Sequence, residues 1–324
     1  MIAPLFSTAL LPQPVLVTGA SGIVGANLVH RLAAEGVRAH LTVRPQSDLA
    51  RLRTVMDAVV LHTCDLTDRE QVHALLQRLR PATIFHLAST FFNPPTLSAE
   101  EHYRVNLLAM LTILEALREQ PTVRFIWTGT AGAYDSGSLL TESAPLRPGS
   151  LYGCSKAAAS QLSQVWARLY AIPTVELRLF TPYGPWERRH RLIPHVILSA
   201  LAGQEVRIGD GRQQRDFVYM QDVVEALLLA ASKPLPAGAV FNICSGEPRS
   251  LREVVSTILE LMGNPVPLQV GVFPPRADEI WEISGDNQAA ANELAWRPQV
   301  TLQEGLQQTI AWFRHHQQEA LALT

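Results

Sequence analysis

The chain has 324 residues, 47% of them hydrophobic, and a formal net charge of −2. That length can bury a large core, as one interleaved domain or two, and so small a charge argues against general attraction to nucleic acid or membrane surfaces. No apolar run is long enough to span a bilayer, and the three cysteines (Cys64, Cys154, Cys244) show no metal-ligand spacing, so the expectation is a cytoplasmic protein with reduced thiols and no metal.

The first segment, Met1 to Gln13, lacks a basic start and a small-residue cleavage site and reads as a short arm. Strands are then expected at Val15–Thr18, Ala39–Val43, Val59–Thr63, Thr83–Ala88, Arg124–Thr128, Val175–Phe180 and Val240–Cys244. Helical patterns lie between them at Gly22–Glu35, Arg69–Arg80, Glu101–Glu119 and Tyr152–Ala171, with later ones at Ile193–Ala202, Asp222–Ser232 and Ser250–Met262. Such alternation predicts an α/β fold with a doubly wound parallel sheet. After Phe180 prolines and arginines cluster. The division expected is a Rossmann dinucleotide domain over 1–180 and a smaller substrate-binding region over 181–324. The strand at Val240 returns to the main sheet, so the two are interleaved.

Gly19, Gly22 and Gly25 follow the first strand and open a helix, where backbone N–H groups can meet a pyrophosphate. Arg44 ends the second strand where an acidic residue would accept from a ribose 2′-hydroxyl. A cation there favours a 2′-phosphate, hence NADP (NADPH) over NAD, with Arg51 and Arg53 close enough to share the role. Asp65 ends the third strand, either as an acceptor for an adenine amino group or as a helix cap. Tyr152 and Lys156 are i and i+4 on one helix, so phenol and ammonium can reach one site, and a cation beside the phenol favours its ionised form. Two helices carry surplus apolar surface, one at Leu107, Leu108, Leu111 and Leu114, the other at Leu162, Trp166 and Leu169. That surface is either core or the interface of a homodimer. Arg188, Arg189, His190 and Arg191 form a basic loop, either solvated or steering an anionic substrate.

Together these residues resemble the extended short-chain dehydrogenase/reductases that act on nucleotide sugars. The likeness runs through Thr18–Gly25, Asp65-Leu66, Phe85-His86-Leu87-Ala88, Asn106, Thr128-Gly129-Thr130, Tyr152/Lys156 and Arg178-Leu179-Phe180. It continues through Tyr183-Gly184-Pro185, Arg215-Asp216-Phe217-Val218, Arg276-Ala277-Asp278 and Trp296-Arg297-Pro298. The resemblance implies catalysis by Thr130, Tyr152 and Lys156. It implies cofactor contacts from Gly19, Ser21, Gly22, Ile23, Gly25, Arg44, Asp65, Leu66, Leu87 and Ala88 besides the catalytic pair. Substrate contacts would come from Thr90, Thr130, Thr181, Arg191, Arg215 and Arg276, with the arginines clamping a diphosphate. Asn106 is given a structural or water-holding role. The family's dehydratases carry an acid just after the catalytic hydroxyl, but Thr130 is followed by Ala131 and Gly132. The bare hydride machinery, with Arg44, leads to an NADPH-dependent reductase of a nucleotide-diphosphate 4-keto-6-deoxy sugar in deoxysugar biosynthesis. The alternative is an NAD-dependent nucleotide-sugar 4-epimerase.

Overall fold

The computed structural model describes residues 11–90, 97–275 and 279–322. Arg276, one of the expected diphosphate ligands, lies outside them, as does most of the Met1–Gln13 arm.

Seven strands form the main sheet: β1 (Val15–Thr18), β2 (Ala39–Val43), β3 (Val59–Thr63), β4 (Thr83–His86), β5 (Arg124–Thr130), β7 (Thr174–Leu179) and β11 (Ala239–Ile243). Their spatial order is β11-β7-β5-β4-β1-β2-β3, with every pair parallel. The order reverses between β1 and β4, and an open α/β sheet takes ligands in the crevice at that switch point, beyond the carboxyl ends of its strands. Side chains alternate across the sheet. Val15, Val17, Phe85 and Ile126 pack under α1 (Ile23–Ala34) and α7 (Met220–Ser232). Leu16, Ile84, Phe125 and Trp127 face α2 (Arg69–Leu79), α4 (Ala109–Leu117) and α5 (Leu151–Tyr170). Burial on both faces is why these strands read as nearly continuous apolar runs.

The helix expected over Glu101–Glu119 is broken into α3 (Ala99–Tyr103), a π-helical turn at Arg104–Leu108, and α4. The extra residue of such a turn re-aims the side chains around it.

A second sheet of five strands was not expected. It contains β6 (Gly137–Leu140), β8 (Thr181–Tyr183), β10 (Gln214–Tyr219), β12 (Pro248–Ser250) and β14 (Glu282–Gly285). Its path runs β12-β10-β14-β6, with β8 also paired to β10. Two residue pairs, β9 (Val206–Arg207) and β13 (Leu268–Gln269), make a small ribbon. Packed with these are α6 (Leu192–Leu201), α8 (Leu251–Leu261), α9 (Leu302–His315) and α10 (Gln317–Ala322), around Val196, Ile197, Val254, Ile258, Leu306 and Phe313. Two strands lie across the division at residue 181: β6 precedes it yet joins the second sheet, and β11 follows it yet closes the first.

Among the described residues no helix is long and apolar enough to cross a membrane, and no three metal-ligating side chains cluster.

Candidate functional site

The glycine loop leaves β1 and enters α1 at the switch point. Gly19 has φ +70°, and a Cβ there would collide with the backbone of Leu87 and Ala88; one on Gly25 would collide with the Gly19 carbonyl and Ala20. The three-glycine spacing therefore lets two backbone segments close on each other at the end of β1 and β4. The N-cap of α1 is Gly22, which has no side chain to bond the first N–H groups, so that turn presents its donors and the positive end of its dipole to the crevice. These features fit a dinucleotide pyrophosphate. Gly19→Ala is expected to cost folding stability by about 1–3 kcal/mol from left-handed strain alone and to weaken cofactor binding; thermal melts with and without cofactor read both.

Around this turn Ala88 N–H donates to Thr18 Oγ1 at 3.3 Å, and Thr18 Oγ1 pairs with His86 Nδ1 at 2.8 Å. Complete burial pushes His86 down to about 3, so it is neutral. Arg51, one of the residues expected to share a 2′-phosphate, is buried and already engaged. Its Nε donates to the Trp186 carbonyl at 3.0 Å and its Nη1 to the Ser21 carbonyl at 3.2 Å, bracing the glycine loop. Arg44 is an exposed turn residue whose N–H donates to Ser47 Oγ. Asp65 accepts from the Thr67 N–H and hydroxyl, which, with the Arg104 and Arg44 charges, hold its carboxyl below the usual range. The cap of α2 is Asp68.

Tyr152 and Lys156 share the sheet-facing side of α5, whose N-cap Ser150 accepts from the Gly153 N–H. The Tyr152 hydroxyl is bonded to the side chains of Ser89 and Thr130, so β4, β5 and α5 converge on one oxygen. Thr130 Oγ1 is itself fixed by the Gly132 N–H at 3.1 Å. Ser89 was not foreseen from the sequence. It follows Ala88 at the carboxyl end of β4, and Asn106 in the π-turn orients it: Ser89 Oγ donates to Asn106 Oδ1 at 3.1 Å, and Asn106 Nδ2 donates to Ser155 Oγ at 2.9 Å. Thr90, expected as a substrate contact, has its hydroxyl held by His102 and Asn106.

The expected lowering of the phenol by Lys156 does not occur in the protein alone. Burial raises Tyr152, and the groups opposing it are Ser89, Thr130 and the charge of Arg191. Lys156 is buried and lies over the Trp127 ring, 5.1 Å from its centroid. Burial pulls its ammonium down to about 8, with Glu176 resisting. The ammonium is thus present below that pH and lost above it. Any turnover that needs it should fall on the alkaline side of about 8, a limb read directly from a pH–rate profile.

Three further expected substrate residues are described: Thr181, Arg191 and Arg215. Thr181 opens β8, opposite Phe217. Arg191 is the N-cap of α6, with Nε 3.4 Å from Glu187 Oε1; Glu187 is buried, which raises its carboxyl to about 7. Arg215 in β10 donates to the Ile280 carbonyl at 2.7 Å and pairs with Glu279 at 3.4 Å.

A crevice built this way serves proton and hydride exchange with a bound dinucleotide. Residues 15–244 match the NAD dependent epimerase/dehydratase family, and the chain belongs to it. It is 31% identical to the UDP-glucose 4-epimerase of Mycolicibacterium smegmatis, over 94% of this chain and 99% of that one. It is 28% identical to the dTDP-glucose 4,6-dehydratase of Neisseria meningitidis, over 93% of each. Its fold superposes on MoeE5 in complex with UDP-glucuronic acid and NAD with a TM-score of 0.82 and 32% identity, over 94% of this chain and 99% of that one.

These relatives correct two expectations. The family is NAD dependent and MoeE5 holds NAD, which overturns NADP as the preferred cofactor. The NADPH-dependent reductase falls with it, since the relatives are epimerases and dehydratases. The physical reason lies in Arg44. An exposed turn cation with Asp65 in its field is not a fixed phosphate fork, and the sign of one charge does not define a 2′-phosphate site.

Proposed function

We propose that the protein is an NAD-dependent nucleotide-sugar 4-epimerase. The observation that carries this reading is the turn after Thr130. Ala131, Gly132 and Ala133 form a single 3-10 turn at the reacting oxygen and supply no carboxylate, so the site holds one acid–base oxygen and its two hydroxyl partners. Elimination of water from a sugar needs a further group to move protons beside the carbonyl, whereas inversion at C4 does not. The 31% identical UDP-glucose 4-epimerase and MoeE5 with its UDP-glucuronic acid support a UDP-hexose or UDP-hexuronate as substrate.

NAD, when bound, supplies the acceptor and donor of the hydride. Tyr152, ionised in the loaded site, would take the C4 hydroxyl proton as the C4–H bond breaks, becoming the neutral phenol, and would return that proton when hydrogen is delivered to the opposite face of the turned 4-keto sugar. Thr130 and Ser89 hold the oxygen to which that proton moves. The Lys156 ammonium would stabilise the phenolate with which this cycle begins and ends, and would hold the ribose edge of the cofactor. Arg191, Arg215 and Arg276 would bind the diphosphate, with Thr90 and Thr181 as further substrate contacts. The substrate region is the second sheet with α6 and α8. Leu108 on the π-turn and Leu169 on α5, 48% and 63% exposed, would meet a second copy of the chain in a homodimer.

The test is incubation of the purified protein with UDP-glucose and, separately, UDP-glucuronic acid, with no added reductant, followed by proton NMR of the anomeric signals. The expected result is the C4 epimer, with NAD released on denaturation. Formation of a 4-keto-6-deoxy product from dTDP-glucose, or a requirement for NADPH, overturns the reading.

A further inference from the structure

Beneath the catalytic lysine lies a buried carboxylate that no step above uses. Glu176 sits in β7, 2% exposed, on a strand whose residues are all buried. A carboxylate is tolerated at such a place only with charged or hydrogen-bonding partners, so its neighbours show its role. In the ladder Glu176 stands directly opposite Trp127 of β5. Facing residues of adjacent parallel strands point to the same side, about 5 Å apart. That side is the one α5 covers. The Trp127 ring is the surface on which Lys156 Nζ rests, and one turn further along α5 the Ser160 hydroxyl donates to Glu176 Oε2 at 2.5 Å. Lys156 and Ser160 are i and i+4, on one face of the helix. Room for the carboxylate comes from Gly129, where a Cβ would collide with Glu176 Oε1. Arg178 fixes the group from its own strand through Nε at 3.0 Å. Its remaining N–H groups bond Tyr134 Oη at 2.6 Å, the Glu142 carbonyl at 3.1 Å and Ser160 Oγ at 3.0 Å.

We propose that Glu176 is the buried counter-ion of Lys156, a positioning residue that keeps the ammonium charged and aimed into the cofactor crevice. The role rests on the reading of Lys156 given under the proposed function. The charged and titratable groups around the lysine are Glu176 and Arg178 on β7, His86 on β4 and Tyr152 on α5, with Tyr134 and Glu142 beyond Arg178. His86 is neutral, Tyr152 is protonated at rest, and the carboxylate acting on Lys156 is that of Glu176.

The chain contains two lysines, Lys156 and Lys233, so full-length protein labelled with 13C at the lysine ε-carbon gives two resonances to follow with pH. In the cofactor-free protein, Glu176→Gln is expected to lower the Lys156 midpoint by roughly one to two pH units and to leave Lys233 in place. The alkaline limb of turnover should move down with it. Ser160→Ala keeps both charges and should leave the Lys156 midpoint where it was. A folded Glu176→Gln variant whose Lys156 titrates as in the wild type overturns the proposal; so does Ser160→Ala moving it as far, since that would make the effect one of packing. Where Glu176→Gln does not fold, Glu176→Asp withdraws the charge by one methylene and is expected to give a smaller fall in the same direction; an unmoved midpoint overturns the proposal equally. Absence of turnover on sugar nucleotides, with the lysine midpoint still following Glu176, would count against the epimerase and not against the ion pair.

Discussion

Tyr152→Phe is expected to reduce turnover by about 10²–10⁴-fold while the protein stays folded and keeps its affinity for NAD. The substitution removes one oxygen. The ring retains its edge contact with His102, 6.2 Å between centroids, and its partners Ser89 and Thr130 keep other bonds, to Asn106 and Gly132. What disappears is the oxygen that Ser89 and Thr130 both bond and on which the substrate proton would land. The pyrophosphate contacts proposed for the glycine loop are untouched by the substitution, and fluorescence titration with NAD should show binding unchanged. Thr130→Val should cost less, since Ser89 still reaches the same oxygen. A Tyr152→Phe enzyme that retained a tenth or more of wild-type kcat (about 1.4 kcal/mol of barrier) would remove the phenol from the chemistry.

The second large effect is on folding. Asp216 lies in β10 next to Arg215 and is fully buried. Its carboxylate accepts from the Ser245 N–H at 2.6 Å, the Ser245 hydroxyl at 2.7 Å, the Gly246 N–H at 3.0 Å and the Gly285 N–H at 3.3 Å. Those donors belong to the segment after β11 and to the end of β14, so one side chain joins the closing strand of the main sheet to the second sheet. Asp216→Ala strands several of these donors without water. The expected loss is about 3 kcal/mol or more, since each unsatisfied buried group costs about 1–3 kcal/mol. Asp216→Asn should lose less, because an amide oxygen still accepts from two of the four. Urea unfolding with a constant slope measures both, and a loss below about 1 kcal/mol for the alanine variant would contradict the account.

Why some of this was legible in the sequence and some was not follows from what each element depends on. The strands from Val15 to Val240 announce themselves because a parallel sheet covered on both faces leaves no polar alternation to confuse the reading. Gly137-Ser138-Leu139-Leu140 and Pro248-Arg249-Ser250 carry no such mark. They are extended because β14 and β10 pair with them, a tertiary fact that local propensity does not contain. The π-turn at Arg104–Leu108 slips past a 3.6-residue template because one extra residue hardly disturbs a helix that is apolar on most sides. In the site, helical spacing brought Tyr152 and Lys156 together, but spacing says nothing of depth. Burial sets the phenol's proton affinity, and the anion that acts on the lysine stands on a strand twenty residues later. Ser89 was hidden because its importance comes from Asn106 turning it toward the phenol. Arg44 misled because a charge's sign is written in the sequence while its exposure is not.

The exchange of β6 and β11 between the two sheets bears on how this enzyme could be re-engineered. A chimera joined at residue 180, taking its second half from a relative with another sugar preference, would import a foreign β11 against the resident β7. It would also leave the resident β6 to seek a partner in a foreign β14. Specificity in this scaffold therefore does not travel as a cassette. It must be changed side chain by side chain inside the crevice, or by moving both crossing strands together with the elements they complete.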